Sequence, residues 1–221
     1  MKFQTRTMQV LKNFSTINQS IVFKPGTTLA TISPTKTILA KAKIAENIPN
    51  EFAIYDLSRF LSTISLYESP EIAINDKIVV ISNDVAQGEK TNYICAEASN
   101  IVAPPAKDIK FPDPDVSFNL DEKTFAKVQK ALGVLGLPEI GVVGEDGTIY
   151  LQAMDSKNPT GDVHRVIVGS TENTFKFIFK AENLKLIPGD YAVSISSKGL
   201  SHFVGKDIEY YIAVEANSTF G

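Results

Sequence analysis

The chain has 221 residues, 43% hydrophobic and 21% charged, which suits one large folded domain or two of about 110 residues. A single cysteine, Cys95, excludes an intramolecular disulfide, no apolar window of about 18 residues marks a membrane span, and Lys2 and Arg6 precede no signal-peptide-like apolar run. The formal net charge of −3 argues against a uniformly basic nucleic-acid binder.

Met8, Leu11, Phe14 and Ile17 recur at helical spacing and predict a first helix, with Thr5 or Thr7 as its cap. Short strands are expected at 21–23, 29–32, 37–44 and 51–55. Asp56 then caps a second helix, to about Ser65, whose stripe is Leu57, Phe60, Leu61 and Ile64. Further strands are expected at 72–74, 77–82 and 91–95, with Asn75-Asp76-Lys77 as a tight hairpin. Four prolines (104, 105, 112 and 114) stiffen an extended linker, which places a domain boundary after Asp108: 1–108 and 109–221.

The second half repeats the plan. Asp121 caps a helix to about Leu135, with Phe125, Val128, Leu132 and Leu135 on one side. A hairpin turns at Glu145-Asp146-Gly147, between strands at 141–143 and 148–153. Strands are expected at 163–169 and 174–179, then a short helix at about 181–186 ended by Pro188-Gly189, then strands at 191–196 and 210–214. The matching order of elements points to an internal duplication of an α+β domain.

The helical segments 2–17, 56–65, 121–135 and 176–186 carry ten basic and four acidic residues, a net +6, and leave −9 on the rest. On α-helical geometry Lys123, Lys127 and Lys130 fall within an arc of roughly 60°, opposite Phe125, Val128 and Leu132. Lys12 lies with Gln9 and Thr16 on the polar side of its helix, and Arg59 opposes its own apolar stripe. A positive face of helix backs on an acidic body suits sequence-independent contact with phosphates. Ordinary solvated charge explains the same residues without a ligand.

No catalytic constellation emerges. Cys95 follows an apolar strand and reads as core; His164 and His202 have no ligand spacing; Asp113-x-Asp115 reads as a solvated loop rather than a metal site. No cofactor is expected. Ile101, Val102, Ile109 and Phe111 in the linker either line a groove for a partner peptide or fasten the linker to the sheets. Phe220 either docks on a partner or belongs to a disordered tail. Phe175, Phe177 and Phe179 alternate beside Lys176 and Lys180, as a base-stacking platform or, preferably, as core.

The segments VLKNFSTIN (Val10–Asn18), AIYDLSRFLSTISL (Ala53–Leu66), ENTFKFIFKAENLKLIPGDY (Glu172–Tyr191) and YYIAVEANST (Tyr210–Thr219) resemble the sliding clamps of T-even-like bacteriophages. The resemblance spans the chain and is loosest at 84–98 and 138–162. It implies a DNA-clamp fold: two similar α+β domains per chain, helices on one face of antiparallel sheets, and three subunits closing head to tail into a ring. It further implies a non-catalytic processivity factor in the cytoplasm of an infected bacterial host. Its partners would be double-stranded DNA, the replicative DNA polymerase, an ATP-driven clamp loader and a likewise assisted late-transcription apparatus. Carried onto this chain, the DNA-facing residues would be Arg6, Lys12, Arg59, Lys123, Lys127, Lys130, Lys180 and Lys185. Two other classes stay open at this point: a monomeric tandem-domain module that binds nucleic acid or protein, and a replication-associated nuclease using Asp113 or Asp115.

Overall fold

A computed structural model describes residues 1–83, 88–107 and 109–221. The chain divides into two compact units, Met1–Lys107 and Asp108–Gly221. The expected boundary after Asp108 falls on a residue outside the described ones.

In the first unit the elements run α1 (Thr5–Ile17), β1 (Ile21–Phe23), β2 (Gly26–Ile32), β3 (Ile38–Ile48), β4 (Phe52–Ile54), α2 (Leu57–Ile64), β5 (Pro70–Asn75), β6 (Ile78–Asn83) and β7 (Lys90–Ile94). β1 pairs with β4, β2 with β3, and β5-β6-β7 form an antiparallel meander. α1 buries Thr7, Val10, Leu11, Phe14 and Ile17 against α2, β2 and β3. Its start is not capped by its own threonines. Thr5 is already helical, and Gln4 caps with extended backbone and no side-chain bond. The carboxylate of Glu46, on β3, takes over: it accepts from the Gln4 backbone N–H and, at 2.6 Å, from the buried Thr7 hydroxyl. A side chain distant in sequence thus accepts the N-cap N–H and ties down the first turn through the Thr7 hydroxyl.

α2 follows the sequence expectation. The Asp56 side chain accepts from Arg59 N at 2.9 Å, and Leu57, Phe60, Leu61 and Ile64 are buried. Phe60 sits edge-on between Phe23 (6.5 Å) and Tyr93 (5.1 Å), and Phe23 stacks on Phe52 at 4.3 Å. These rings join α2 to β1, β4 and β7 in one core. The outer edge of β5 is closed by the N-terminus: Met1 donates its ammonium to Ile72 O at 2.7 Å and accepts from Ile72 N at 2.8 Å.

The second unit runs β8 (Val116–Leu120), α3 (Glu122–Leu135), β9 (Glu139–Glu145), β10 (Thr148–Met154), β11 (His164–Ser170), β12 (Phe175–Lys180), β13 (Tyr191–Ser196), β14 (Leu200–Val204), β15 (Ile208–Ala213) and β16 (Thr219–Phe220). One sheet has the order β11-β10-β9-β12-β16, and β8-β13-β14-β15 pair in succession. The β9–β10 loop is two residues, Asp146 (φ 50°) and Gly147 (φ 78°). Left-handed backbone at both positions matches the right-handed twist of the flanking strands, so Asp-Gly is the residue pair expected there. Gly144 serves packing instead: a Cβ on it would lie 2.5 Å from a Phe175 ring carbon and 2.7 Å from Asn173 O. Phe175, Phe177 and Phe179 are all buried, so the alternating phenylalanines are core and not an exposed stacking platform.

α3 is capped at both ends. Asp121 accepts from Thr124 N (2.9 Å) and Thr124 Oγ1 (2.6 Å), while Asp190 accepts from Glu122 N (2.9 Å). Gly136 ends it in the left-handed region, with Leu137 N returning to Leu132 O. Only Phe125 and Val128 are buried; Leu132 is half-buried and Leu135 is exposed.

The helix expected at 181–186 is absent. Only a single 3-10 turn, Ala181–Asn183, follows β12. Leu184, Leu186 and Ile187 are each buried, and the Tyr210 hydroxyl accepts the Ile187 N–H at 3.0 Å. An irregular segment pinned by core tyrosines thus replaces the helix, because its apolar residues do not all fall on one helical stripe. The second unit consequently lacks a counterpart of α2.

Replacing Asp56 by Ala removes the cap of α2, and urea unfolding should show a loss of about 1 kcal/mol. An unchanged midpoint would mean that the aromatic core alone sets the start of this helix.

Candidate nucleic-acid interface

The burial of one stripe on each helix decides what the other side presents. In α3, Phe125 and Val128 face inward, toward β10 and β11, and Lys123, Lys127 and Lys130 are therefore exposed together. Asp121 and Glu122 stay at the N-terminal end, where negative charge is favoured by the helix dipole. The basic stretch farther along carries no acid. In α1 the inward stripe leaves Lys12 exposed beside Gln9 and Thr16, and the helix has no acidic residue at all. In α2, Arg59 is exposed among Ser58 and Ser62. Among the described residues, none forms an ion pair with Lys12, Arg59, Lys123, Lys127 or Lys130. Each side chain reaches solvent, where it can release counterions on meeting a phosphate.

The other residues expected to face DNA differ. Arg6 is half-buried, with Nη1 3.5 Å from Gln9 Oε1. Lys180 stands at the end of β12, ahead of the 3-10 turn, and pairs with Glu215 at 3.7 Å. Lys185 is half-buried in the irregular segment beyond. Neither sits on a helix back, because the helix that would have carried them is missing.

Two of the linker residues, Val102 and Phe111, are fastened within their own units. Ile101 is buried, and the carbonyl of the exposed Val102 accepts from Asn18 Nδ2 at 3.1 Å. In the second unit Ile109 is half-buried, and Phe111 packs on His202 (5.5 Å) and Tyr211 (6.5 Å). The sequence did not anticipate this cluster, in which His202 also stacks on Tyr211 at 4.2 Å and contacts Glu209 through Nε2 at 2.9 Å.

The candidate acidic pair separates into two unlike groups. Asp113 is exposed, whereas the Asp115 carboxylate accepts from Ser197 N at 2.6 Å and Ser196 Oγ at 3.4 Å. The Ser197 backbone bond, with the Ser197 and Ser196 hydroxyls, holds Asp115 below the ordinary carboxylate range. Its task is to fasten the β13–β14 turn to the entry of β8. Among the described residues no three His, Cys, Asp or Glu side chains gather as a metal site. Cys95 is half-buried, and its thiol is pushed up by burial, away from nucleophilic use.

Similarity to known proteins agrees with the geometry. The family described as "DNA polymerase processivity factor" matches residues 2–103, and "gp45 sliding clamp, C terminal" matches residues 117–216. The sliding clamp of Vibrio phage KVP40 is 36% identical over 98% of this chain and 100% of its own length. That of Enterobacteria phage T4 is 29% identical, covering 99% of both chains. Among solved structures, PCNA from Thermococcus kodakaraensis matches with a TM-score of 0.70 at 12% identity, covering 96% of this chain and 98% of that one. Proliferating cellular nuclear antigen from Entamoeba histolytica matches at 0.68 and 13% identity, covering 94% of each. These structures share the DNA-clamp fold with this chain.

Asp115→Ala should lower the melting temperature at neutral pH. A carboxylate whose folded pKa is depressed stabilises fully above its unfolded value, about 3.9, and loses that contribution as pH falls through the lowered value. The wild-type advantage over the variant should therefore vanish at the acid end of a melt series run from neutral pH downward. An advantage that persists unchanged at the lowest pH would contradict this role.

Proposed function

The chain belongs to the family of phage sliding clamps, non-catalytic DNA polymerase processivity factors, and we propose that it acts as a head-to-tail homotrimer whose helix backs face the duplex. Membership carries the general partners: DNA, the replicative polymerase and a clamp loader. The observation that carries the DNA-facing assignment is the unpaired lysine face of α3, with Lys12 and Arg59 as its equivalents in the first unit.

A clamp has to remain on DNA and still move along it. Closure supplies residence, so the contacts themselves can be weak, numerous and blind to sequence. Flexible ammonium groups with water between them and the phosphates meet that need, because no single bidentate bond has to break for a step along the axis. The acidic remainder repels DNA from the other surfaces. Lys180 and Lys185 take a secondary part in this reading, since one is shared with Glu215 and the other is half-buried.

The homotrimer reading is supported by the sheet edges. Among the described residues no strand pairs with the outer side of β7 or of β11. Each also shows an exposed large apolar side chain, Ile94 at 77% and Ile167 at 66%. Exposed apolar edges invite another chain. Two different edges meeting make a heterologous contact, which repeats until a rotation closes it. The same reading proposes docking of a polymerase peptide on the linker beside the exposed Val102, and a part in late transcription.

The triple variant K123E/K127E/K130E should fold with an unchanged circular dichroism spectrum and lose processive synthesis on long templates at physiological salt. Its DNA affinity should also become less salt-sensitive, the log–log slope falling by about 2.7 for three lost phosphate contacts. Full processivity in the variant would remove α3 from the DNA-facing surface. Separately, light scattering should give about three times the 24.1 kDa chain mass, and Ile167→Asp should reduce it to one. A wild-type monomer would favour the tandem binding module instead.

A further inference from the structure

Without the two-residue β16, the sheet β11-β10-β9-β12 of the second unit has two outer strands, and they are treated differently. The outward-pointing backbone groups of β12 are met one after another by residues 215–221. Gly221 N donates to Thr174 O (3.1 Å), and Thr219 pairs with Lys176. Ile178 N donates to Ser218 Oγ (2.9 Å), and Glu215 N donates to Ile178 O (2.8 Å). Two residues of strand, one hydroxyl and one turn amide thus satisfy the edge from Thr174 to Ile178. Side chains add to the hold. Phe220 stacks on Phe175 at 6.2 Å and on Phe177 at 6.0 Å, and Glu215 pairs with Lys180. The opposite outer strand, β11, has no such cover among the described residues.

We propose that residues 215–221 are an edge guard: they occupy the outer side of β12 so that this sheet associates with another copy only through β11. The physical need is plain. β12 is apolar on one face throughout, with Phe175, Phe177 and Phe179, and its two lysines, Lys176 and Lys180, leave that face unbroken. Uncovered, such an edge templates the addition of any extended chain. A protomer with two sticky edges on one sheet can extend without closing, whereas one with a single sticky edge here and one on the first unit closes with a fixed polarity. The guard is short and mostly held by backbone bonds, and Phe220 remains 37% exposed, so its hold is local and separable from the core. The inference rests on the self-assembly reading above, but its test does not depend on the number of subunits.

Three proteins decide it: the intact chain, a chain ending at Asn217, and Thr219→Pro, which keeps every other guard residue but cannot donate in β16. Thermal melts establish that each is folded, and light scattering follows mass over a wide range of concentration. The intact chain should hold one mass. Both altered chains should grow in mass with concentration, and an excess of a synthetic peptide of residues 215–221 should reverse the growth. Hydrogen exchange at Lys176 and Ile178 should speed up in both and slow again with the peptide. Altered chains that keep the intact mass at every concentration would overturn the guard, as would growth in mass that the peptide does not reverse. If the intact chain proves monomeric while the altered ones associate, the trimer reading fails and the guard stands.

Discussion

Everything the molecule offers to a nucleic acid depends on amphipathic burial. A helix that commits Val10, Leu11 and Phe14, or Phe125 and Val128, to a core has no freedom left in where its remaining side chains point. The apolar stripes are worth on the order of 2 kcal/mol per large side chain, far more than a solvated lysine gains from any particular neighbour. The cations are therefore placed by the hydrophobic effect and not by electrostatics. The acids near α3 are kept at its N-terminal end by capping, which uses their charge locally and leaves the rest of the face positive.

How much of this was legible in the sequence varies with the range of the interaction that decides each element. α2 and α3 were readable because Asp56 and Asp121 cap within their own first turn. The Asp146-Gly147 hairpin was readable because two left-handed residues suffice to specify it. The cap of α1 was not, since Glu46 reaches it from another strand. The segment after β12 was misread for a similar reason. Its composition resembles a short helix, but Tyr210 and Tyr191 compete for its backbone from positions that local periodicity cannot reveal. β8 does carry a signal, the alternation of buried Val116, Phe118 and Leu120 with exposed Ser117 and Asn119, but the prolines just before it mask it as linker; β16, at two residues, is too short to show a period.

The proposed DNA-facing surface divides along the same line. Lys12, Arg59, Lys123, Lys127 and Lys130 could be placed on exposed helix faces because helical periodicity fixes which way they point. Lys180 and Lys185 were drawn in with a helix that does not form, and Lys180 has an acidic neighbour that is 35 positions away in sequence. The aromatic contact of Phe111 with His202 and Tyr211 could be suspected as a fastening but not located, because two strands from the far end of the chain build it. The exclusion of chemistry was the easier inference. Asp113-x-Asp115 reads in sequence as a solvated loop, and Asp115 there serves as a turn fastener, a role that Asp takes in many loops.

The pairing of β8 with β13 bears on how the second unit comes into being. The first partner, Leu120, is 71 residues ahead of its opposite number, Tyr191. On a ribosome the hairpin of β9 and β10 can zip as soon as it emerges, while β8 waits for several seconds of further synthesis. The loop that must close is long, so its entropic cost falls late on the folding path. Newly made chains consequently pass through a stage in which the β9–β10 hairpin is formed and β8, an edge of the other sheet, still lacks its one partner, β13.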